Sequence, residues 1–386
     1  MPIDRRTFVS CAGGAALAGL VPPQAAWAVS GAGGTIDIPI HLTPGRVLVS
    51  CMADGEGPFP FVFDTGGTVG LIDMKLVEAL KLKRVGGSRL SLSIGTKVFP
   101  IYEVRDLIFG GKVRQPSAVF AGVKNFGFGE GVRGSLAAGV LSSVTGELDY
   151  ENQIWRIYQD ETPDRTGWTR YDKALVKSGN RNGSSFLFAD AVLGGTSLRL
   201  GLDTGMPSAL RIYRKAAEAA GLWKWDSQRW TPTAPGGKGR LIRTDVTLAG
   251  TVLKDVPVSL VEDVQWSTFH NGIIGLPVLR LFNMATHAAK DELYLRRNAL
   301  PAATHLNRYN RAGIWIGREH GGLIAEVVGA GSPAAQAGIK AGDRILDADF
   351  GDLIERFQGP AGSRVPLRLQ TDGAVREVTL TLEDFL

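Results

Sequence analysis

Two cysteines in 386 residues leave almost nothing to cross-link. Cys11 falls in the N-terminal segment, so once that segment is removed Cys51 stands alone and no intramolecular disulfide is expected. The five histidines, at 41, 270, 287, 305 and 320, show no H-E-x-x-H or other ligand spacing, so no metal is expected. No G-x-S-x-G elbow is present, which argues against a serine hydrolase built on that turn. Aromatic-basic stripes are missing too, and nucleic acid is not an expected partner despite a formal net charge of +5. The one early apolar run, residues 7–21, is too short and too glycine-rich to span a bilayer, and Pro22-Pro23 end it.

That run belongs to a segment with its own logic. Arg5-Arg6, the Gly/Ala-rich stretch and Ala26-Trp27-Ala28 give a basic start, an apolar middle and a small-x-small cleavage site. Residues 1–28 resemble a twin-arginine export signal, which implies a periplasmic or secreted mature chain starting near Val29. The remainder is globular in composition, 44% hydrophobic and 21% charged, and its 50 glycines favour turn-rich β structure. The cations Arg296, Arg297, Arg308 and Arg311 cluster in a Pro-containing stretch, read as a solvated linker over 300–311.

The stretch "FVFDTGGTVGLID", residues 61–73, places Asp64 after three apolar residues and before a Thr-Gly-Gly turn. The pattern predicts strand, tight turn, strand, with a carboxylate at the first strand's end. Alone it is an ordinary turn. It recurs as "LRLGLDTGMPSALRI", with Asp203 lying 139 residues after Asp64. Asp106 and Asp245, in matching hairpin segments, are also 139 apart. A third pair, "AAGVLSS" and "NGIIGLP", sets Gly139 against Gly272. Three blocks in the same order predict a duplication: two mainly β lobes, 35–160 and 183–299, joined by a linker over 161–182.

Two facing repeats would bring two carboxylates to one seam. Carboxylates a few ångströms apart do not both ionise, so one keeps a proton while the other stays charged. Such a pair can take a proton from water and give one to a carbonyl. Thr65 and Thr204 are placed to hydrogen-bond backbone across the seam, and Gly66 and Gly205 allow the tight turn. On these residues residues 35–300 resemble the aspartic peptidases, bilobal as in pepsin and compact as in retropepsin-like bacterial members. The resemblance implies Asp64 and Asp203 as the dyad, protein or peptide substrates and no cofactor. It also implies a fold class: mainly β, two tandem retropepsin-like lobes sharing a central active site.

The chain departs from the pepsin pattern. Three residues after each aspartate, where pepsins carry a hydroxyl, stand Gly67 and Met206. Losing a donor to the charged carboxylate predicts a pH optimum less acidic than a digestive pepsin's. The first lobe also reads "GVLSSV" where a second glycine is usual, which raises the expectation of a distorted lobe. Candidate flaps are the segment around Gly236-Gly237, the hairpin 91–100 and the glycine-rich 125–135.

Beyond residue 311 the character changes. Ser332-Pro333 starts a short helix, Gly338 stops it, and Asp372-Gly373 turns a hairpin. Residues 312–386, with "GSPAAQAGIKAGDRI", resemble a bacterial PDZ domain, a small α+β module. The resemblance implies an extended peptide added at a strand edge, with Ala312, Gly313, Ile314 and Trp315 as the loop holding a terminal carboxylate.

Other classes fit less well. The actin- and hexokinase-like ATPases share "DTGGT", but "DTGMPS" lacks the second glycine, and an exported protein meets no ATP. Haloacid-dehalogenase-like phosphatases need an aspartate where Gly66 stands. The non-enzymatic alternative is a peptide-binding scaffold using the cleft and the PDZ groove. The expectation is an exported aspartic endopeptidase whose PDZ domain recruits or regulates.

Overall fold

The computed structural model describes residues 28–29, 34–92, 95–124, 127, 129, 131–159, 163–178, 183–223, 239–302, 306–320 and 322–384. Residues 1–27 of the expected export signal and the candidate flap glycines Gly236 and Gly237 lie outside them. The chain is mainly β, and the strands of the described residues fall into three sheets.

The duplication is visible in strand register. In the first repeat, Glu56–Phe63 lies parallel to Gly134–Leu136, which is antiparallel to Gly70–Asp73. In the second, Thr196–Asp203 lies parallel to Gly272–Gly275, which is antiparallel to Leu210–Tyr213. Each repeat then adds a long hairpin: Gly95–Phe109 with Val113–Val123, and Arg240–Leu248 with Thr251–Val261. Short helices follow the third strand of each set, Met74–Ala79 and Arg214–Ala219. The first is capped by Asp73, whose carboxylate accepts from the Lys75 N–H.

Register corrects one pairing drawn from sequence. Gly139, aligned above with Gly272, sits in the helix Gly139–Ser142; Gly134 occupies the strand position of Gly272. Both glycines are forced by close approach, since a Cβ would meet Leu71 O at 2.3 Å in one repeat and Arg211 O at 2.1 Å in the other. The first lobe is therefore regular at this point.

The lobes are joined by pairing as well as by chain. Thr145–Asp149 of the first runs antiparallel to Phe282–His287 of the second, from Thr145 opposite His287 to Leu148 opposite Met284. Residues 161–182 are more than a linker: Thr169–Tyr171 pairs with Glu292–Arg297, and Leu175–Lys177 with Ser185–Leu193. One continuous core runs through both lobes, with Trp155 set edge-on to Phe63 and Phe109 at 5.4 and 5.5 Å. A smaller apolar cluster joins Val62 and Leu71 to Leu90 and Phe99 of the hairpin built from Lys83–Leu92 and Gly95–Phe109.

The C-terminal domain has its own sheet and core. Ile314–Glu319 is an edge strand, and the helix Phe350–Phe357 lies beside it, with Arg318 4.6 Å over the Phe350 ring. Asp349 caps that helix through the N–H groups of Gly351 and Asp352. The basic stretch before the domain is not all solvated. Arg311 is 1% exposed, pairs with Asp384 at 2.7 Å and donates to Gly359 O, so it is a structural cation. Cys51 is a free, buried thiol.

Candidate active site

Asp64 follows the strand Glu56–Phe63, and its N–H donates to Leu136 O at 3.0 Å. Asp203 ends its own strand, opposite Gly275. Strand alternation turns both side chains away from the core, because Phe63 and Leu202 just before them point into it. Each carboxylate accepts from the N–H two residues on, Gly66 to Asp64 at 3.1 Å and Gly205 to Asp203 at 2.8 Å.

The two turns are locked together by their threonines, both fully buried. Thr65 N–H donates to Thr204 Oγ1 at 3.0 Å, and Thr204 N–H donates to Thr65 Oγ1 at 3.0 Å. The hydroxyls pass the bond on, Thr65 to Leu202 O at 2.8 Å and Thr204 to Phe63 O at 2.5 Å. Four buried backbone groups are satisfied by two side chains.

This lock sets each glycine against the other repeat's aspartate. A Cβ at Gly66 would fall 2.2 Å from Cγ of Asp203, and one at Gly205 would fall 2.6 Å from Oδ1 of Asp64. The two carboxyl groups act on one another as a coupled pair. Burial pushes Asp64 up to about 7, and the Asp203 charge pushes the same way; the N–H groups of Gly66 and Gly67 and the Arg46 cation oppose. Asp203 is raised as well, again by burial, against the Gly205 N–H, Arg211, Asp64 and the Met206 N–H. The pair therefore holds a proton well above the ordinary carboxylate range, as one coupled unit. At Gly67 and Met206, the two departures from the pepsin pattern, the backbone N–H groups favour the charged carboxylates, and the Met206 N–H donates to the Asp203 main-chain carbonyl at 3.2 Å.

Two cations at the dyad escaped sequence reading. Arg46 follows the Thr43–Gly45 turn, and its Nη1 donates to Gly205 O at 3.2 Å, so the first lobe grips the second lobe's turn. Arg211, in the strand after the second motif, has its field on Asp203. A charged residue in an otherwise apolar four-residue strand, "LRIY", was the available signal.

The C-terminal domain reaches this region. Glu355 and Asp349 act electrostatically on Arg46, and Glu355 also acts on Arg280 and Arg308. Gly127 of the first lobe lies where the edge strand meets the helix; a Cβ there would come within 2.7 Å of both Arg318 and Phe350. Of the expected carboxylate loop, Ala312, Gly313 and Ile314 are buried and Trp315 half-buried. The N–H groups of Ala312 and Gly313 both donate to Asn310 Oδ1 at 3.1 Å, and Asn310 Nδ2 donates to Ile314 O at 2.8 Å.

No family model matches the chain, and no curated protein sequence matches it. Solved structures similar to it include a retropepsin-like aspartic protease from Rickettsia conorii, 20% identical, covering 33% of this chain and 92% of that one, TM-score 0.24. Another is an aspartic proteinase from Irpex lacteus, 12% identical, covering 70% of this chain and 100% of that one, TM-score 0.43. Among the described residues no cluster of His, Cys, Asp or Glu is arranged to hold a metal ion, and no helix is long and apolar enough to cross a membrane.

Proposed function

We propose that the chain is an aspartic endopeptidase in which Asp64 and Asp203 activate water against a peptide bond. One observation carries this reading: Gly66 lies against the Asp203 carboxylate while Gly205 lies against that of Asp64. Two acids from two repeats thus share one proton in a partly open site. The ionised carboxylate takes a proton from water as the water oxygen bonds to the carbonyl carbon. The protonated one gives its proton to the carbonyl oxygen. Collapse of that tetrahedral species breaks the C–N bond: the amine nitrogen takes the proton drawn from water, and a hydroxyl proton of the new carboxyl group returns to the pair.

The C-terminal domain is read as a PDZ-like module that recruits or regulates, through an extended peptide beside Ile314–Glu319. Its acidic helix near Arg46 supports a regulatory role. The N-terminal segment supports export to the periplasm or beyond.

The test is cleavage of an unfolded protein by the full chain, alongside Asp64→Asn and Asp203→Asn. Cleavage by the parent and background levels in both variants are expected. Equal behaviour of all three would favour the peptide-binding scaffold instead.

A further inference from the structure

The two halves of the cleft are built on one plan with different chemistry. In the first repeat Leu71 lies opposite Ser135, which lies opposite Val62, two residues before Asp64. In the second, Arg211 lies opposite Ile273, which lies opposite Gly201, two residues before Asp203. Register makes Leu71 and Arg211 counterparts, and Val62 and Gly201 counterparts. Alternation puts Gly201, Ile273 and Arg211 on the face that carries Asp203, while Leu200, Leu202, Leu210, Ile212 and Ile274 fill the core behind.

In the first repeat that face is uncharged and filled, with Val62 and Leu71 packed against Leu90 and Phe99 beside the buried Ser135. In the second it holds an arginine and a vacated side-chain position. A Cβ at Gly201 would find its nearest neighbours at ordinary contact, Phe188 at 3.6 Å, Gly272 O at 3.9 Å and His270 at 4.0 Å, so the glycine does not relieve a clash. Arg211 Nε is buried without a hydrogen-bond partner, and the carboxylate whose charge acts on this guanidinium is that of Asp203. A buried guanidinium N–H without an acceptor is costly, and a carboxylate brought from outside would satisfy it. A guanidinium fork matches that group's geometry.

We propose that Arg211 makes the second half of the cleft a receptor for an acidic side chain, so that peptides with Glu or Asp on the side held by the second repeat are preferred. This rests on the endopeptidase reading. The alternative is that Arg211 serves only as counter-ion to Asp203.

The experiment uses the full chain and peptide pairs identical except for Glu against Gln, scanned across the positions flanking the cleaved bond. The ratio of kcat/KM within each pair should favour Glu roughly 10- to 100-fold at one position, the range for a hydrogen bond to a charged group. In Arg211→Leu, which installs the first repeat's residue, the ratio should fall to about one. In Arg211→Glu, Lys at that position should be favoured over Gln. A ratio near one in the parent, or one unchanged in Arg211→Leu, overturns the proposal. The same pairs are then bound to Asp64→Asn and to Asp64→Asn/Arg211→Leu, followed by fluorescence anisotropy. Acid-selective binding that depends on Arg211, without cleavage by the parent, would sink the endopeptidase reading and leave the receptor standing. Cleavage without acid selectivity in either assay would do the reverse.

Discussion

Thr65 and Thr204 hold each other's backbone across the lobe interface, each hydroxyl accepting the other residue's N–H at 3.0 Å. Both hydroxyls also donate into the opposite strand, so neither is replaceable by an isostere lacking the O–H. Thr204→Val keeps the shape but strands the Thr65 N–H and the Phe63 carbonyl in a dry interface. At about 1–3 kcal/mol for each unsatisfied group, the loss should be roughly 2–6 kcal/mol of unfolding free energy. Thr204→Ser keeps the hydroxyl and should cost about one methyl, ~1 kcal/mol. Urea unfolding of both variants measures the contrast. A Val variant as stable as the Ser variant would mean that the bonds are not made.

The glycines beside the threonines separate catalysis from folding. Any side chain at Gly66 collides with Asp203, and any at Gly205 with Asp64. Gly66→Ala or Gly205→Ala must push the carboxylates apart, and a displacement near 1 Å costs on the order of 100-fold in rate. Gly67 differs: a Cβ there has no neighbour closer than 3.6 Å, the nearest including Asp64 Oδ2. Gly67→Ala should remain active, and kcat/KM on one peptide across the three variants checks the ordering.

Gly67 also offers a way to tune the dyad. With Asp64 at about 7 against an ordinary value of 3.8, the folded chain holds a proton that the unfolded chain has lost between those values. Stability should therefore fall as pH rises from about 4 to about 7 and level off above, and the raised Asp203 adds to the same trend. Activity, which needs that proton, should fall as pH rises through about 7. Gly67→Ser puts a hydroxyl within reach of the Asp64 carboxylate and favours its charged form, so the alkaline limb should move to lower pH. Asp64→Asn should flatten the stability profile over the same window. Chemical unfolding at several pH values and kcat/KM profiles of parent and Gly67→Ser test both points.

What could be read in the sequence was what repeats at constant spacing. The two Asp-Thr-Gly turns and the hairpins after them keep an offset of 139 residues, and strand alternation fixes which way the acids point. Arg211 was hidden by a slip in that spacing. Leu71 is seven residues after Asp64, whereas Arg211 is eight after Asp203, so a constant offset sets Arg211 against Ile72, a core residue. Only the pairing of Arg211 with Ile273 and of Leu71 with Ser135 reveals the counterparts. Gly134 was missed for a similar reason: the three-residue strand "GSL" is too short to show periodicity, and a glycine forced by a carbonyl leaves no mark on the pattern. The seam between Thr145–Asp149 and Phe282–His287 joins segments more than 130 residues apart, and local propensity carries no information about such partners.

Asn310 bears on what the C-terminal domain can recognise. A free peptide C-terminus would need N–H donors from the loop at Ala312–Trp315, yet Asn310 Oδ1 already accepts those of Ala312 and Gly313. The same side chain is anchored at its other end on Ile314 O, so displacing it breaks three hydrogen bonds. A carboxylate gains little from donors already engaged by a chain-linked amide. Peptides that bind along Ile314–Glu319 should therefore do so through backbone pairing, with little difference between a free and an amidated C-terminus. Asn310→Ala frees both N–H groups, and in that variant the free carboxylate should be favoured roughly 10-fold, near the lower end for a hydrogen bond to a charged group. Titration of both peptide forms against parent and Asn310→Ala, followed by anisotropy, gives the comparison. A carboxylate preference already present in the parent would show that Asn310 yields to ligand and that the loop is an open receptor after all.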